Sequence, residues 1–254
     1  MPNDAALARA LALVRDLRAR CPWDGAQTPD TLRPYFVEEA LELDQAIADG
    51  APERRREELG DVLLHLAFQV VIAEERREFD AEAVARGLEE KMWRRHPHLF
   101  AGAERPASWE AVKRAERRSG TGTLHGLPRS LPPLLMAFRL QERAAGVGFD
   151  WPDAAGPLAK VKEETAELER EMAGADRAAA ARELGDLLFA VVNLARKLGV
   201  DPRAALEGAN ATFVRRFEEV ERLAVERGVE LGRATLAELD RLWDAVKAAQ
   251  GQSL

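Results

Sequence analysis

Two sets of four carboxylates recur along the chain with the same internal spacing. In each set, two glutamates three residues apart are followed by a glutamate and an aspartate, also three apart. Residues three apart share one face of a helix. Four facing carboxylates repel one another unless cations neutralise them, and all-oxygen ligation suits Mg²⁺, Mn²⁺ or Ca²⁺. The sets are Glu39, Glu42, Glu58 and Asp61, and Glu164, Glu167, Glu183 and Asp186.

The two sets belong to an internal repeat. The segment that begins at Val37 matches the segment that begins at Lys162 without a gap, at an offset of 125 residues. In each copy the acidic pairs are mirrored about a turn-like stretch, 49–52 or 173–176. Two antiparallel helices joined at that turn would bring the four acids level. The offset maps Glu38, Glu39, Glu42, Glu58, Gly60 and Asp61 onto Glu163, Glu164, Glu167, Glu183, Gly185 and Asp186.

The elements that would position these acids are helices. Ala, Leu, Glu and Arg dominate and β-branched runs are short, which favours an all-α fold of two related halves. Asp201 before Pro202 and Thr235 before Glu238 are helix-start signals. We expect an N-terminal domain at 1–118, a linker at 119–130 and a C-terminal domain at 131–254. The predicted helices cover 5–20, 32–48, 53–77, 81–93, 107–118, 131–145, 157–173, 177–198, 202–227 and 236–249.

Composition excludes several classes of function. The formal charge of −7 disfavours a nucleic-acid partner, which needs a basic face. No stretch reaches the roughly 18–20 apolar residues that span a bilayer, and the N-terminus lacks the pattern of a secretory signal. The single cysteine, Cys21, permits no internal disulfide and favours a reducing compartment, so we expect a cytoplasmic protein without a membrane partner.

The same residues allow other interpretations. The acids could be solvated helix faces, although the doubled and mirrored pattern argues against this. A di-iron bundle would need Glu-x-x-His on two helices, whereas the partners here are Glu and Asp. His65 lies four residues after Asp61 and could ligate a metal, but a packed histidine is the stronger interpretation. A non-catalytic nucleotide-sensing or docking module is the alternative function.

At these acids the sequence resembles the MazG family of all-α nucleoside triphosphate pyrophosphohydrolases. The similarity extends to CPWD (21–24), RRHPHLF (94–100), LPRSLPPLLMAFRLQ (127–141), VGFDW (147–151) and RRFEEVE (215–221). These segments are spread over most of the length of the chain and are more specific than the acidic motif. The resemblance implies a homodimer, Mg²⁺ and cleavage of NTP or dNTP to the nucleoside monophosphate and pyrophosphate.

The second half is the expected principal site. There Glu164, Glu167, Glu183 and Asp186 would bind Mg²⁺, with Mn²⁺ as an alternative. Glu163 and Glu164 are the candidate catalytic residues. Glu163 could orient or deprotonate the attacking water, or form a surface ion pair with Lys160 or Arg170. The first half has Tyr35 in place of Lys160; it could act on other substrates or serve dimerisation.

Substrate binding needs cations, because a triphosphate carries about four negative charges. Lys160 and Arg216 match phosphate-binding positions of the family, although either could be a solvated helix cation. Trp243 matches an aromatic near the base, and Asn193 could touch the nucleotide; both could simply pack. Thr212 departs from the lysine common in the family. The candidate substrate-binding residues are Lys160, Arg182, Asn193, Thr212, Arg216 and Trp243.

Overall fold

The computed structural model describes residues 6–102, 122–174 and 176–251, and every regular element within these ranges is helical. The predicted all-α class is therefore confirmed. In the described ranges, none of the helices combines the length and apolar content needed to cross a membrane. The helices are α1 (Ala6–Arg20), α2 (Pro22–Ala26), α3 (Pro29–Ala48), α4 (Pro52–Glu75), α5 (Ala81–Arg95), α6 (Pro97–Phe100), α7 (Pro133–Ala145), α8 (Ala155–Met172), α9 (Arg177–Lys197), α10 (Pro202–Glu226) and α11 (Leu236–Gly251).

The chain divides into two compact units, Met1–Arg105 and Pro106–Leu254. The predicted helix over 107–118 and the boundary at 118 lie outside the described residues, so the domain limits stay predictions. The described part of the predicted linker, 122–130, contains turns and no helix.

The helix starts follow local chemistry. Asp201 accepts hydrogen bonds from the backbone amides of Arg203 and Ala204, as predicted for an N-cap residue. The backbone amide of Thr235 donates to Glu238 over 2.8 Å, which is one of the two hydrogen bonds of the predicted capping box. Helix α3 begins earlier than predicted because Thr28 caps it. Its partner in the capping box is a threonine three residues on, where the usual signal has Glu or Gln.

In the first unit, α1, α3 and α4 pack around one apolar cluster. Val14 of α1 and Leu32 of α3 meet the side of α4 that carries Phe68 and Ile72, and all four side chains are buried. Burial of such side chains stabilises a fold by about 1.5–3 kcal/mol each. This cluster fixes α3 and α4 side by side, which positions the acidic residues of both helices.

In the second unit, α8 and α9 pack along each other and α7 packs against α9. The buried amide of Gln141 on α7 donates to the carbonyl of Phe189 on α9 over 2.8 Å. Helices α10 and α11 share a second apolar cluster built on Val220 and Leu242. The hairpin of α8 and α9 is therefore braced by α7.

Both predicted turns are present. Helix α3 ends at Ala48 and α4 begins at Pro52, with Gly50 between them at a φ of 67°. This left-handed conformation favours glycine because it has no Cβ. In the second unit, Asp176 accepts from two backbone amides and starts α9; its predicted neighbour in the turn, residue 175, lies outside the described residues. Each acidic set therefore lies on an antiparallel helix pair.

Candidate active site

The acids of α8 and α9 converge in the second unit. Ligand atoms of Glu164, Glu183 and Asp186 all lie within 4.8 Å of one another. Glu163, Glu164 and Glu167 form an overlapping group with the same limit. Glu164, only 4% exposed, belongs to both groups and is their shared member. Glu164 is thus close to each of the other three predicted ligands, whereas Glu167 belongs to the group of Glu163 and lies outside the group of Glu183 and Asp186.

The donor set fits a hard divalent cation. Six oxygens around Mg²⁺ at about 2.1 Å would stand roughly 3.0 Å apart when adjacent and 4.2 Å apart when opposite. The ligand atoms of each carboxylate group lie within 4.8 Å of one another, which is only slightly more than the larger of these spacings. A small side-chain adjustment would therefore bring them around one ion. All the donors are carboxylate oxygens, which suit Mg²⁺ or Mn²⁺ better than softer metals. These residues could therefore hold such an ion.

Lys160 supplies positive charge to this cluster. Its ammonium lies 2.8 Å from Glu163 and 2.6 Å from Glu164. These hydrogen bonds, that to Glu163 foremost, raise the pKa of Lys160 above its usual range. Lys160 is therefore a fixed cation one helical turn from the shared carboxylate. The ion pair predicted as an alternative for Glu163 is present, and Arg170 pairs with Glu167 at 3.1 Å.

A cavity of about 180 Å³ adjoins the carboxylates. It is smaller than the roughly 300–1,000 Å³ of pockets that enclose a whole ligand. A nucleotide could place one portion in it while the charged portion lies along the more open acidic surface. Six of the lining residues are Pro157, Lys160, Glu164, Asp186, Phe189 and Asn193.

A polar network holds the far side of this cavity. Arg196 donates to the amide oxygen of Asn193 at 3.1 and 2.8 Å. Arg196 also forms an ion pair with Asp150, and Lys197 approaches the same carboxylate at 3.3 Å. The hydrogen bond from Arg196, followed by that from Lys197, holds the pKa of Asp150 below its usual range. The network ties the segment before α8 to the end of α9.

Replacing Asp150 by Asn is expected to destabilise the second unit at neutral pH by about 1 kcal/mol, since a charged hydrogen bond is lost from a side chain that is only 22% exposed. The pKa of Asp150 is lower folded than unfolded, so its contribution is complete above about pH 4 and fades as the pH falls further. Urea unfolding of wild type and variant at pH 7 and pH 3 measures this.

The matched control is Asp16→Asn, which removes an exposed ion pair with Arg20 on α1. Exposed pairs of this kind contribute under about 0.5 kcal/mol. A difference in the free energy of unfolding between Asp150→Asn and wild type that is as large at pH 3 as at pH 7 would contradict the prediction. The effect would then not depend on the charge of Asp150.

The remaining predicted substrate-binding residues lie elsewhere in the unit. Arg182 is exposed on α9, and Thr212 and Arg216 are half-buried on α10. Trp243 packs on the apolar cluster of α10 and α11, with its ring 5.4 Å from that of Phe213. None of these four is among the described residues that line the 180 Å³ cavity. Their substrate roles stay predictions.

The first unit carries a related but different site. Ligand atoms of Glu39, Glu58 and Asp61 lie within 4.8 Å of one another, as do those of their counterparts in the second unit, and Glu42 is exposed. Burial raises the pKa of Glu39, and the charges of Asp61 and Glu42 raise it further. Desolvation and the charge of Glu42 likewise raise the pKa of Glu58. This cluster could also hold a cation.

Three residues that line the cavity have bulkier, buried counterparts in the first unit. At the 125-residue offset, Pro157, Ala190 and Asn193 correspond to Leu32, His65 and Phe68. Leu32 and Phe68 belong to the apolar core, 1% and 3% exposed. His65 is 8% exposed and tilted against the ring of Phe36 at 6.3 Å, and burial lowers its pKa. Bulky side chains thus occupy the positions that surround open space in the second unit.

Sequence reasoning did not single out Trp151, Phe189 or Ala190 as cavity residues. Trp151 enters the sequence analysis only as the last residue of VGFDW, one of the segments similar to the family. Phe189 lies inside an apolar run of a predicted helix. The lack of bulk at Ala190 is visible only by comparison with His65 at the same offset. Phe189 and Ala190 lie three residues before Val192 and Asn193 on α9, so the side chains that reach the cavity depend on how the helix is rotated about its axis.

Comparisons with known proteins identify the family of this chain. The sequence matches the MazG nucleotide pyrophosphohydrolase domain twice, over residues 27–100 and 156–221. It is 41% identical over 244 residues to a nucleoside triphosphate pyrophosphohydrolase of Escherichia coli, covering 92% of this chain and 93% of that protein. It is 41% identical over 230 residues to the nucleoside triphosphate pyrophosphohydrolase/pyrophosphatase MazG of Thermotoga maritima, covering 89% of each. The helical hairpins with clustered carboxylates define a MazG-type fold. The chain belongs to the MazG nucleotide pyrophosphohydrolase family.

Proposed function

We propose that this chain hydrolyses nucleoside triphosphates to the nucleoside monophosphate and pyrophosphate, with Mg²⁺ held by the carboxylates of α8 and α9. The observation that carries the proposal is the two overlapping carboxylate groups sharing Glu164, next to Lys160 and a cavity. Full-length relatives named nucleoside triphosphate pyrophosphohydrolase, at 41% identity, support the same reaction.

In this reaction a water oxygen forms a bond to the α-phosphorus, and the bond from that phosphorus to the bridging oxygen of the β-phosphate breaks. Mg²⁺ would offset phosphate charge and make a bound water more acidic. Glu163 is suited to accept the proton of the water, because it borders the ligand Glu164 and is itself exposed. Lys160 would donate to the phosphate oxygens as they displace it from Glu163 and Glu164.

The second unit is the principal site in this proposal. It combines the acidic groups with Lys160 and an open cavity. The first unit has Tyr35 in place of Lys160 and fills the cavity positions with Leu32, His65 and Phe68. Its acids could bind a cation, but the nucleoside would have no space beside them.

The chain would act as a homodimer. Large apolar side chains are exposed on α9, such as Leu184 and Leu188, and on α10, such as Phe213 and Val214. Exposed apolar surface of this kind is typical of a protein interface, and a second copy would cover it. The single free cysteine, Cys21, supports the expectation of a reducing cytoplasmic compartment.

A product assay tests the proposed function. Purified protein with Mg²⁺ should release pyrophosphate, and little orthophosphate, from several NTPs and dNTPs. Excess EDTA should abolish the release and added Mg²⁺ should restore it, since the metal carries part of the transition-state stabilisation.

The control is the double variant Glu58→Ala with Glu183→Ala, which disables the acidic cluster of both units and should be inactive. Orthophosphate as the main product, or turnover that survives thorough chelation, would refute the proposal. Nucleotide binding without any turnover would favour the sensing or docking module instead.

A further inference from the structure

A second cavity of the second unit lies between α10 and α11. Its volume is about 440 Å³, which falls within the roughly 300–1,000 Å³ that is usual for small-ligand sites. Six of the eight described residues that line it come after residue 221, where the second match to the family domain ends. None of the described lining residues belongs to the carboxylate cluster of α8 and α9. We call it the α10–α11 cavity; its cationic residues are Arg215, Arg222 and Arg227, and its apolar floor is formed by Leu223, Ala245 and Val246.

The α10–α11 cavity is positively charged, although the whole chain has a formal charge of −7. Three arginines and one glutamate, Glu219, are its charged lining residues, so their net charge is +2. Arg222 forms ion pairs with Glu219 at 2.8 Å and with Glu226. Arg215 and Arg227 have no ion-pair partner within the described part of the chain. Two guanidinium groups without a counterion therefore border the cavity.

The apolar floor favours an organic ligand. Val246 is only 7% exposed and belongs to the apolar cluster that joins α10 to α11, while Leu223 and Ala245 are half-buried. A ligand that covers this floor removes apolar surface from water, which is favourable. An inorganic anion would pair with the arginines but leave the floor uncovered.

The spacing of the arginines indicates how the charges of such a ligand are arranged. Arg215 and Arg227 are the first and last residues of the stretch that borders the cavity on the α10 side. They are 12 residues apart, which corresponds to about 18 Å along a helix. A single phosphate group is much shorter than this distance, so two separate anionic groups are needed to engage both arginines. Guanidinium groups pair well with phosphate, because two parallel N–H donors match its oxygens.

We propose that the α10–α11 cavity binds a small organic molecule with a phosphate group at each end and an apolar middle. Arg215 and Arg227 each pair with one phosphate, and the middle of the ligand lies on the apolar floor. The net charge of the chain opposes an extended polyanion such as a nucleic acid, and the volume of the cavity suits a small molecule. The proposal goes beyond the proposed function, since this site needs neither Mg²⁺ nor the carboxylates.

Titrations of the full chain, followed by ligand-observed NMR, test this site. EDTA is present, because without Mg²⁺ the carboxylate clusters repel phosphate. The probes are 1,6-hexanediol bisphosphate, hexyl phosphate and inorganic phosphate. The Kd of the bisphosphate should be at least about fivefold below that of hexyl phosphate, because it gains a second set of charged hydrogen bonds. Hexyl phosphate should in turn bind more tightly than inorganic phosphate, because its chain covers the apolar floor.

Charge-neutral variants assign the two ends of the ligand. Arg215→Gln and Arg227→Gln, each alone, should raise the Kd of the bisphosphate to about that of hexyl phosphate with the wild type. The matched control is Arg241→Gln, which removes the same charge from an exposed residue of α11 that is not among the described lining residues. Its Kd for the bisphosphate should stay within about twofold of wild type.

A pair of substitutions on the apolar floor tests the same site without removing an arginine. Ala245→Glu places a carboxylate on the floor, whereas Ala245→Gln adds a neutral side chain of the same size. Because a carboxylate repels phosphate and pairs with the arginines, the Kd of the bisphosphate should be at least about fivefold higher for Ala245→Glu than for Ala245→Gln. Equal Kd values for these two variants would contradict the proposal.

Several other results would overturn the site. Wild-type protein that shows no saturable binding of the bisphosphate is one, and equal Kd values for the bisphosphate and hexyl phosphate are another. An equal loss of binding in Arg215→Gln and Arg241→Gln would indicate unspecific attraction to surface cations. Lys160→Met should bind the bisphosphate like wild type, and weaker binding would place the probe at the carboxylate cluster. Pyrophosphate release from NTPs with Mg²⁺ is measured separately, so either proposal can fail while the other stands.

Discussion

Glu164→Gln is expected to lower kcat/KM for nucleoside triphosphates at least about a hundredfold. Glu164 is buried and shared by both carboxylate groups of the second unit, so no other acid can replace it. Loss of residues that merely support metal ligands costs about 10- to 100-fold, and a shared ligand should cost at least the upper value. Initial rates of pyrophosphate release across a range of Mg²⁺ concentrations measure the effect.

The matched control is Glu39→Gln, the same substitution at the equivalent position of the first unit. It removes one member of the acidic group that Glu39 forms with Glu58 and Asp61. In this unit the counterpart of the cavity residue Ala190 is the buried side chain of His65. Its kcat/KM should stay within about threefold of wild type if the second unit carries the reaction. A collapse of activity in Glu39→Gln with normal turnover in Glu164→Gln would assign catalysis to the first unit.

Much of the acidic site could be predicted because its determinants are local. Three-residue spacing places two acids on one helix face, and a turn at Gly50 or before Asp176 mirrors one helix onto the next. The bounds of the long helices followed from periodicity and capping for the same reason. The sequence did not predict helices α2 and α6, because each begins at a proline and is too short for a periodic pattern.

The cavity could not be predicted in the same way, because it depends on which side chains happen to meet. Ala190 and His65 occupy equivalent positions in the repeat, and both stand within helical patterns that look alike. Only the packing of the helices shows that Ala190 adjoins the cavity, whereas His65 is a buried side chain. The position of Trp151 likewise depends on its close approach to Gly156, a contact that no spacing rule encodes.

Lys160→Met is expected to lower kcat/KM by about 10- to 100-fold, mainly through a higher KM. A hydrogen bond from a charged donor to phosphate contributes about 1.5–3 kcal/mol, and methionine keeps the length of the side chain without its charge. Lys160 already lies within 2.8 Å of both Glu163 and Glu164. It is therefore close to any phosphate that binds to Mg²⁺ held by the acidic cluster. Steady-state kinetics with saturating Mg²⁺ measures the change.

In the absence of nucleotide, Lys160→Met should not weaken metal binding, in contrast to its effect on nucleotide KM. Lys160 competes with a cation for Glu164, so Lys160→Met should bind Mn²⁺ as tightly as wild type or more tightly, as measured by calorimetry. Glu164→Gln should bind Mn²⁺ more weakly, and Lys162→Met, an exposed neighbour, should alter neither Mn²⁺ binding nor KM. Weaker Mn²⁺ binding in Lys160→Met with an unchanged KM would mean that this lysine organises the carboxylates and does not contact phosphate. The two readouts thus distinguish a phosphate ligand from a structural ion pair.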